Sequence, residues 1–317
     1  LSLGWQRADG LGARVSMQRD LRDVGDVAEV SRIRNTLAAQ EFGSDYTDPV
    51  DVRGVGVGLT FGRHLGVLWS MRGALESHRA AQVHASPAAG RYEGTLLLPE
   101  MDVSRLALGI ERPTSLFPLG VEGAFHAELR LSRRWRRGDA SIVGDPGRDV
   151  WRFHASADLQ RPFGTRRLVS ATAITAASAP ALAMPQELAY AGGPVSAPGY
   201  DYHALVGRVV VTQRLEWRLP VPFVRVPLGR FGTAPGTATF APYVHLAGVG
   251  APAAVQRLGG SGSASALQAP VTAGLYPSVG IGVLTLFDLF RLDVARGLRG
   301  GRWTFSVDLA PEFWRIL

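Results

Sequence analysis

The sequence contains neither cysteine nor lysine, and these two absences remove several kinds of chemistry at once. Without cysteine there is no disulfide, no thiolate nucleophile and no thiolate metal ligand. Without lysine there is no Schiff-base amine, and the lysine of a phosphate-binding loop is also missing. We expect no metal, no cofactor and no enzymatic activity, because the histidines are scattered and no catalytic motif accompanies them.

A long apolar run is also lacking. No stretch offers about 18 uninterrupted apolar residues, the minimum for a transmembrane helix. If this chain enters a membrane, it must do so as a closed β-barrel, because that structure pairs every backbone N–H and C=O internally. No break in composition divides the 317 residues. We therefore predict one β-barrel domain over residues 1–317, a length that a large barrel can reach.

All 34 basic residues are arginine, and together with 27 acidic residues they give a net charge of +7. The arginines alternate with aliphatic residues along predicted strands and do not cluster on a helix. No nucleic-acid-binding motif accompanies them. We expect them to line a barrel interior or to meet anionic lipid head groups at its rim, with no nucleic acid as partner.

Apolar and polar residues alternate in several stretches, most clearly near the C-terminus. This period of two is typical of a β-strand whose two faces meet different environments. Residues 55–61 and 209–219 show the same pattern, and in both the apolar positions are predicted to face lipid. In the C-terminal strand the apolar positions are Trp303, Phe305, Val307 and Leu309, with Phe313 returning to that register.

The connections between predicted strands alternate between short and long. Short turns at one end and long loops at the other are typical of outer-membrane barrels. Two connections break the alternation. Residues 220–236 form a long connection where a short turn is expected, and residues 298–301 form a short turn where a long loop is expected. We count about 13 strands from these patterns. The sequence therefore predicts an all-β, antiparallel transmembrane β-barrel in the outer membrane of a Gram-negative bacterium.

The C-terminal strands carry a family resemblance. Residues 280–298 begin GIGV and end RLDVARGL, residues 302–305 read RWTF, and residues 214–220 read RLEWRLP. Over residues 189–313 the chain resembles the BamA/TamA-type outer-membrane assembly proteins, the bacterial surface antigen family. The resemblance implies a sixteen-stranded barrel, with about three strands before Leu1. It also implies outer-membrane lipids, unfolded outer-membrane proteins and periplasmic accessory proteins as partners.

Two positions depart from the family pattern. The resemblance places an inward-folding loop at residues 179–202, whose family tip reads Arg-Gly-Tyr or Arg-Gly-Phe. Here the tip is Pro198, Gly199 and Tyr200, so proline replaces the arginine. On the wall strand that ends at Gly248, Leu246 stands where the family usually has an acid. We expect the ion pair of the family to be absent and insertion activity to be affected. The resemblance also marks four lumen residues: Glu216, Arg218, Arg291 and Asp293.

Three functions remain open. The first is a barrel that assists insertion or translocation of outer-membrane proteins or lipids, and the second is a passive channel or structural barrel. The third is a barrel phospholipase, because His154 and Ser156 share one strand face. That face alternates with an apolar one, so the pair is predicted to look into the lumen, whereas a phospholipase needs its nucleophile at the lipid side.

Overall fold

The computed structural model describes residues 1–24, 47–81, 88, 96–137, 149–178, 185–225, 227, 229, 232–258, 265–268 and 271–309. Phe313, which the sequence places in the register of the C-terminal strand, lies outside these ranges. Within the described part of the chain, no helix has the length and apolar character needed to cross a bilayer.

Strands dominate the described residues. The helical elements described over their full length are two short 3-10 turns (Pro118–Gly120 and Pro185–Glu187) and one four-residue helix, α1 (Gly193–Ser196). The strands are β1 (Ser2–Gln6), β2 (Leu11–Asp23), β3 (Pro49–His64), β4 (Val67–Ala80), β5 (Met101–Phe117), β6 (Val121–Arg137), β7 (Asp149–Phe163), β8 (Arg166–Ala177), β9 (Ala189–Ala191), β10 (Leu205–Pro222), β11 (Thr237–Pro252), β12 (Val255–Leu258), β13 (Ser265–Gln268), β14 (Gly274–Thr285), β15 (Phe290–Gly297) and β16 (Trp303–Leu309).

One antiparallel sheet contains fourteen of these strands, which confirms the predicted all-β class. Thirteen of them follow one another in chain order from β1 to β16, each pairing with its neighbour, and β9 adds to the side of β10. Strands β12 and β13 form a separate hairpin within one long connection. Among the described residues β16 does not pair with β1, so the sheet has two free edges.

Short and long connections alternate as the sequence predicts. Pro118–Gly120 is the short connection between β5 and β6. Leu65 and Gly66, both with positive φ, connect β3 and β4. The two predicted exceptions remain: residues 223–236 form a long connection between β10 and β11, and residues 298–302 form a short one between β15 and β16.

In the long strands of the sheet, the described side chains alternate between an apolar outer face and a polar or small-residue inner face. Trp303 and Phe305 on β16 are 68% and 62% exposed and lie on the outer face. Thr304 lies between them on the inner face. Val307 is half-buried in the outer register, and of Leu309 the structure describes the backbone only. An apolar outer surface of this kind fits a hydrocarbon environment.

The two faces of β10 can be tested with single-cysteine variants, because the chain has no cysteine of its own. Leu215 is exposed on the outer face, whereas Thr212 lines an inner cavity. A spin label on Leu215→Cys in bilayers should be relaxed mainly by dissolved oxygen. The label on Thr212→Cys should be relaxed mainly by a water-soluble metal complex. Equal behaviour of the two labels would contradict the assigned strand faces.

Candidate functional site

The candidate site is formed by residues 185–204, the long described part of the connection between β8 and β10. These residues fold into the interior of the curved sheet. This segment, called here the inner loop, begins with the Pro185–Glu187 turn, pairs β9 with β10 and then forms α1. Ala189, Ala191 and Ala197 are fully buried against Val210 and Tyr276. Small side chains allow the loop to lie close to the wall, and the burial of its apolar atoms stabilises that position.

The tip of the inner loop contacts strands near the C-terminus. The backbone N–H of Gly199 donates a hydrogen bond to Thr304 Oγ1 at 3.1 Å. Its carbonyl accepts one from the backbone N–H of Arg302 at 2.8 Å. The hydroxyl of Tyr200 donates to the carbonyl of Pro277 at 2.9 Å. Pro198 is fully buried. The three predicted tip residues are therefore brought together against the inner wall formed by β14, β15 and β16.

This contact requires glycine on both sides. Gly199 has a φ of +90°, and a Cβ there would overlap the backbone nitrogen of Gly297. A Cβ on either Gly297 or Gly301 would lie 2.6 Å from the carbonyl oxygen of Gly199. Such distances are far below van der Waals contact, so a side chain at these positions would separate the loop tip from the wall.

The predicted wall position opposite the tip is wrong. Leu246 is 37% exposed, whereas its neighbours His245 and Ala247 are buried. In the strand register Leu246 lies opposite Gln213 and Pro277 on the outer face, and Gly248 shares that register. An acid at position 246 would therefore point away from the loop and could not pair with an arginine at position 198.

An ion pair holds the inner loop elsewhere. Glu187 has no exposed surface, and its Oε1 accepts a hydrogen bond from Nη2 of Arg105 on β5 at 3.0 Å. The other terminal nitrogen of Arg105 is 3.0 Å from Glu76 on β4. Glu76 in turn lies 2.8 Å from Arg22 and 3.1 Å from His78. A buried chain of alternating charges thus joins the loop to β2, β4 and β5.

The charge environment keeps Glu187 ionised. Burial works to raise the pKa of Glu187, but the positive charges of Arg105, Arg130 and Arg152 outweigh it and hold that pKa below its ordinary value. The acid therefore lies on the loop and the arginines lie on the wall. This polarity is the reverse of the family arrangement that the sequence resemblance suggested.

A third set of contacts attaches the end of the inner loop near β2 and β3. Nδ1 of His203 lies 2.8 Å from a carboxylate oxygen of Asp48, and both side chains are buried. The hydroxyl of Tyr202 donates a hydrogen bond to Asp23. The ring of His203 stacks on Tyr202 at 3.9 Å between centroids. The loop is consequently fastened to widely separated strands of the sheet.

The predicted lumen residues form a second buried network. Glu216 on β10 accepts hydrogen bonds from Arg214 at 2.8 Å, Arg218 at 2.7 Å and Arg291 at 2.6 Å. Asp293 on β15 accepts from Nε of Arg291 at 2.6 Å. The structure therefore brings Glu216 and Arg218 on β10 together with Arg291 and Asp293 on β15, across the two strands that lie between them. Shared charge-assisted hydrogen bonds of this kind offset the cost of burying the carboxylates.

A cavity of about 500 Å³ separates this network from the inner loop. His154 and Ser156 line it from β7, so both face the interior as predicted from the sequence. Nδ1 of His154 lies 2.9 Å from Thr175 Oγ1 on the neighbouring strand. The described residues contain no group of three or more His, Asp or Glu side chains that could hold a metal ion.

The fold is similar to that of a solved BamA structure. The crystal structure of BamA from Haemophilus ducreyi lacking POTRA domains 1-3 matches 96% of this chain with a TM-score of 0.56 and 11% identity. CdiB from Acinetobacter baumannii matches 97% of it with a TM-score of 0.41 and 14% identity. The chain covers 60% and 55% of those two chains. No family model and no curated protein sequence matches it.

Removing the charge of Glu187 should weaken the attachment of the inner loop. We expect Glu187→Gln to lower the free energy of unfolding by about 3–5 kcal/mol, because it leaves Arg105 buried without one of its partners. Asp9→Asn is the matched control. It breaks the exposed Arg7–Asp9 pair and should cost at most about 1 kcal/mol. Urea titration followed by tryptophan fluorescence measures both, and equal losses would contradict the assignment.

Adding one methyl group at Gly199 should undock the tip. Gly199→Ala suffers both the left-handed backbone penalty of about 1–2 kcal/mol and overlap with Gly297. Gly120→Ala is the control, because Gly120 has a φ of +68° but open space around its Cα. The labelling rate of a cysteine at the buried Ala197 position should rise only with Gly199→Ala. Similar rates in both variants would show that the glycine contact does not hold the tip.

Proposed function

We propose that this chain is the membrane domain of an outer-membrane protein that assists the insertion or translocation of outer-membrane proteins or lipids. The observation that carries the proposal is the docking of the loop tip at Gly199 and Tyr200 against β14, β15 and β16. These strands carry the sequence resemblance to the assembly proteins. The fold similarity to BamA supports the same reading.

The inner loop gives this proposal a physical basis. A segment that crosses the interior of a barrel and packs on its C-terminal strands restricts the lumen and braces the wall next to the free edge of β16. The Glu187–Arg105 ion pair attaches the other end of the inner loop to β5, on the opposite side of the interior. The proposed partners are outer-membrane lipids, unfolded outer-membrane proteins and periplasmic accessory proteins, and the proposed location is the Gram-negative outer membrane.

A passive channel is the second candidate, and the polar cavity beside Glu216 favours it. Charged side chains around an open interior are typical of barrels that pass water and small solutes. In this candidate the inner loop would limit the width of the pore without acting on a client protein.

We propose no enzymatic role. A serine nucleophile needs its base within hydrogen-bond reach. Side chains two residues apart on a strand point the same way but stand about 6–7 Å apart, and His154 makes its described hydrogen bond to Thr175.

Reconstitution separates the two main candidates. Liposomes containing the barrel should fold an added, urea-unfolded outer-membrane protein faster than empty liposomes, as followed by its heat-modifiable gel mobility. Gly199→Ala should reduce this acceleration, and Gly120→Ala should leave it unchanged. If the barrel gives steady single-channel conductance in planar bilayers but no acceleration, the channel function is supported and the assembly function is wrong.

A further inference from the structure

The side chains on the outer face of β2 and β3 change from apolar to charged between one row of paired residues and the next. Directly opposed pairs on these strands include Val15 with Val57 and Met17 with Val55, all apolar. In the next row towards the long connection, Arg19 lies directly opposite Arg53. The side chains of these two arginines are 69% and 55% exposed. The apolar belt thus gives way to a pair of like charges.

Two positive charges placed opposite each other on one face of a sheet are destabilising unless an anion lies between them. The carboxylate of Asp51 partly neutralises these two positive charges. Its Oδ2 lies 3.2 Å from Nη2 of Arg19 and 2.9 Å from Nη2 of Arg53. Within this group of three side chains, one carboxylate shared by two guanidinium groups leaves one positive charge in excess. The neighbouring Arg79, which lies opposite Asp51, has its own partners in Glu100 and Asp102.

The position of this pair identifies the kind of anion. β2 and β3 are joined by the long connection at the end where Arg19 and Arg53 lie, and in outer-membrane barrels the long loops are extracellular. In that orientation, Arg19 and Arg53 lie where the apolar belt meets the head groups of the outer leaflet. Leu21, which is exposed in the following row beside Asp51, provides apolar surface next to the guanidinium groups.

We propose that Arg19 and Arg53 bind a phosphate group on the head group of an anionic glycolipid in the outer leaflet. The planar guanidinium fork pairs with phosphate oxygens through two parallel hydrogen bonds, and two such forks match one phosphate monoester. This site goes beyond the proposed assembly function. It depends on the orientation of the barrel in an outer membrane and not on any client, so either proposal can fail without the other.

The test is a binding titration of the purified barrel in a non-ionic detergent, with a bisphosphorylated acylated diglucosamine as the probe and native mass spectrometry as the readout. Each basic residue near an anionic lipid surface contributes about fivefold to binding, so Arg19→Gln with Arg53→Gln should weaken binding by about 30-fold. Arg14→Gln is the matched control, because Arg14 lies on the inner face of β2 and bonds Ser2. It should leave binding unchanged.

Two further arms make the result decisive. Asp51→Asn removes the competing carboxylate and should tighten binding, which tests the site without relying on the arginine variants to fold. The same lipid lacking its phosphates should bind weakly to every variant. The proposal is wrong if the double arginine variant binds as the parent does, or if Asp51→Asn weakens binding. It is also wrong if inorganic phosphate displaces the lipid completely, because the site would then recognise a free anion.

Discussion

A carboxylate enclosed in the interior of a protein must be paired, and much of this structure is arranged around that requirement at Glu187. Its partner Arg105 is shared with Glu76, which is shared in turn with Arg22 and His78. Removing one member of such a chain leaves its neighbours buried with one ionic partner fewer, which costs free energy. The inner loop therefore has one energetically favoured position along the wall. The glycine contact at the tip of the loop then fits the position along the wall that the Glu187–Arg105 ion pair favours.

The alternating pattern was sufficient to predict the thirteen strands that follow one another along the sheet, but not β9, β12 and β13 in the long connections. The apolar registers around Trp303 and around Leu215 lie outside, and the strand count along the sheet agrees with the pattern. The assignment of Leu246 failed for a reason specific to strands: a shift of one residue moves a side chain to the other face. Leucine at 246 alternates with buried His245 and Ala247. The period of two in this strand indicates that the Leu246 side chain points outward, whereas the family resemblance places it on the inner wall.

The Glu187–Arg105 contact could not be predicted from periodicity, because residues 179–204 have none and the two partners are 82 positions apart. One signal was present nevertheless. Glu187 is the single charged residue between positions 179 and 200. A lone charge in an otherwise apolar segment that folds inward needs a counter-ion on the wall. The sequence thus indicated that a partner exists, while the identity of that partner depended on the curvature of the sheet.

The attachments of the inner loop also have a mechanical meaning. The sheet has free edges at β1 and β16, so hydrogen bonds between strands do not by themselves close it into a ring. The loop reaches from Asp23 and Asp48 near one edge to Thr304 beside the other, and to Arg105 between them. The inner loop is a cross-link inside the sheet, and it fixes the distance between the strands near the two edges. A change in the length of the loop would therefore alter the separation between the strands that it contacts.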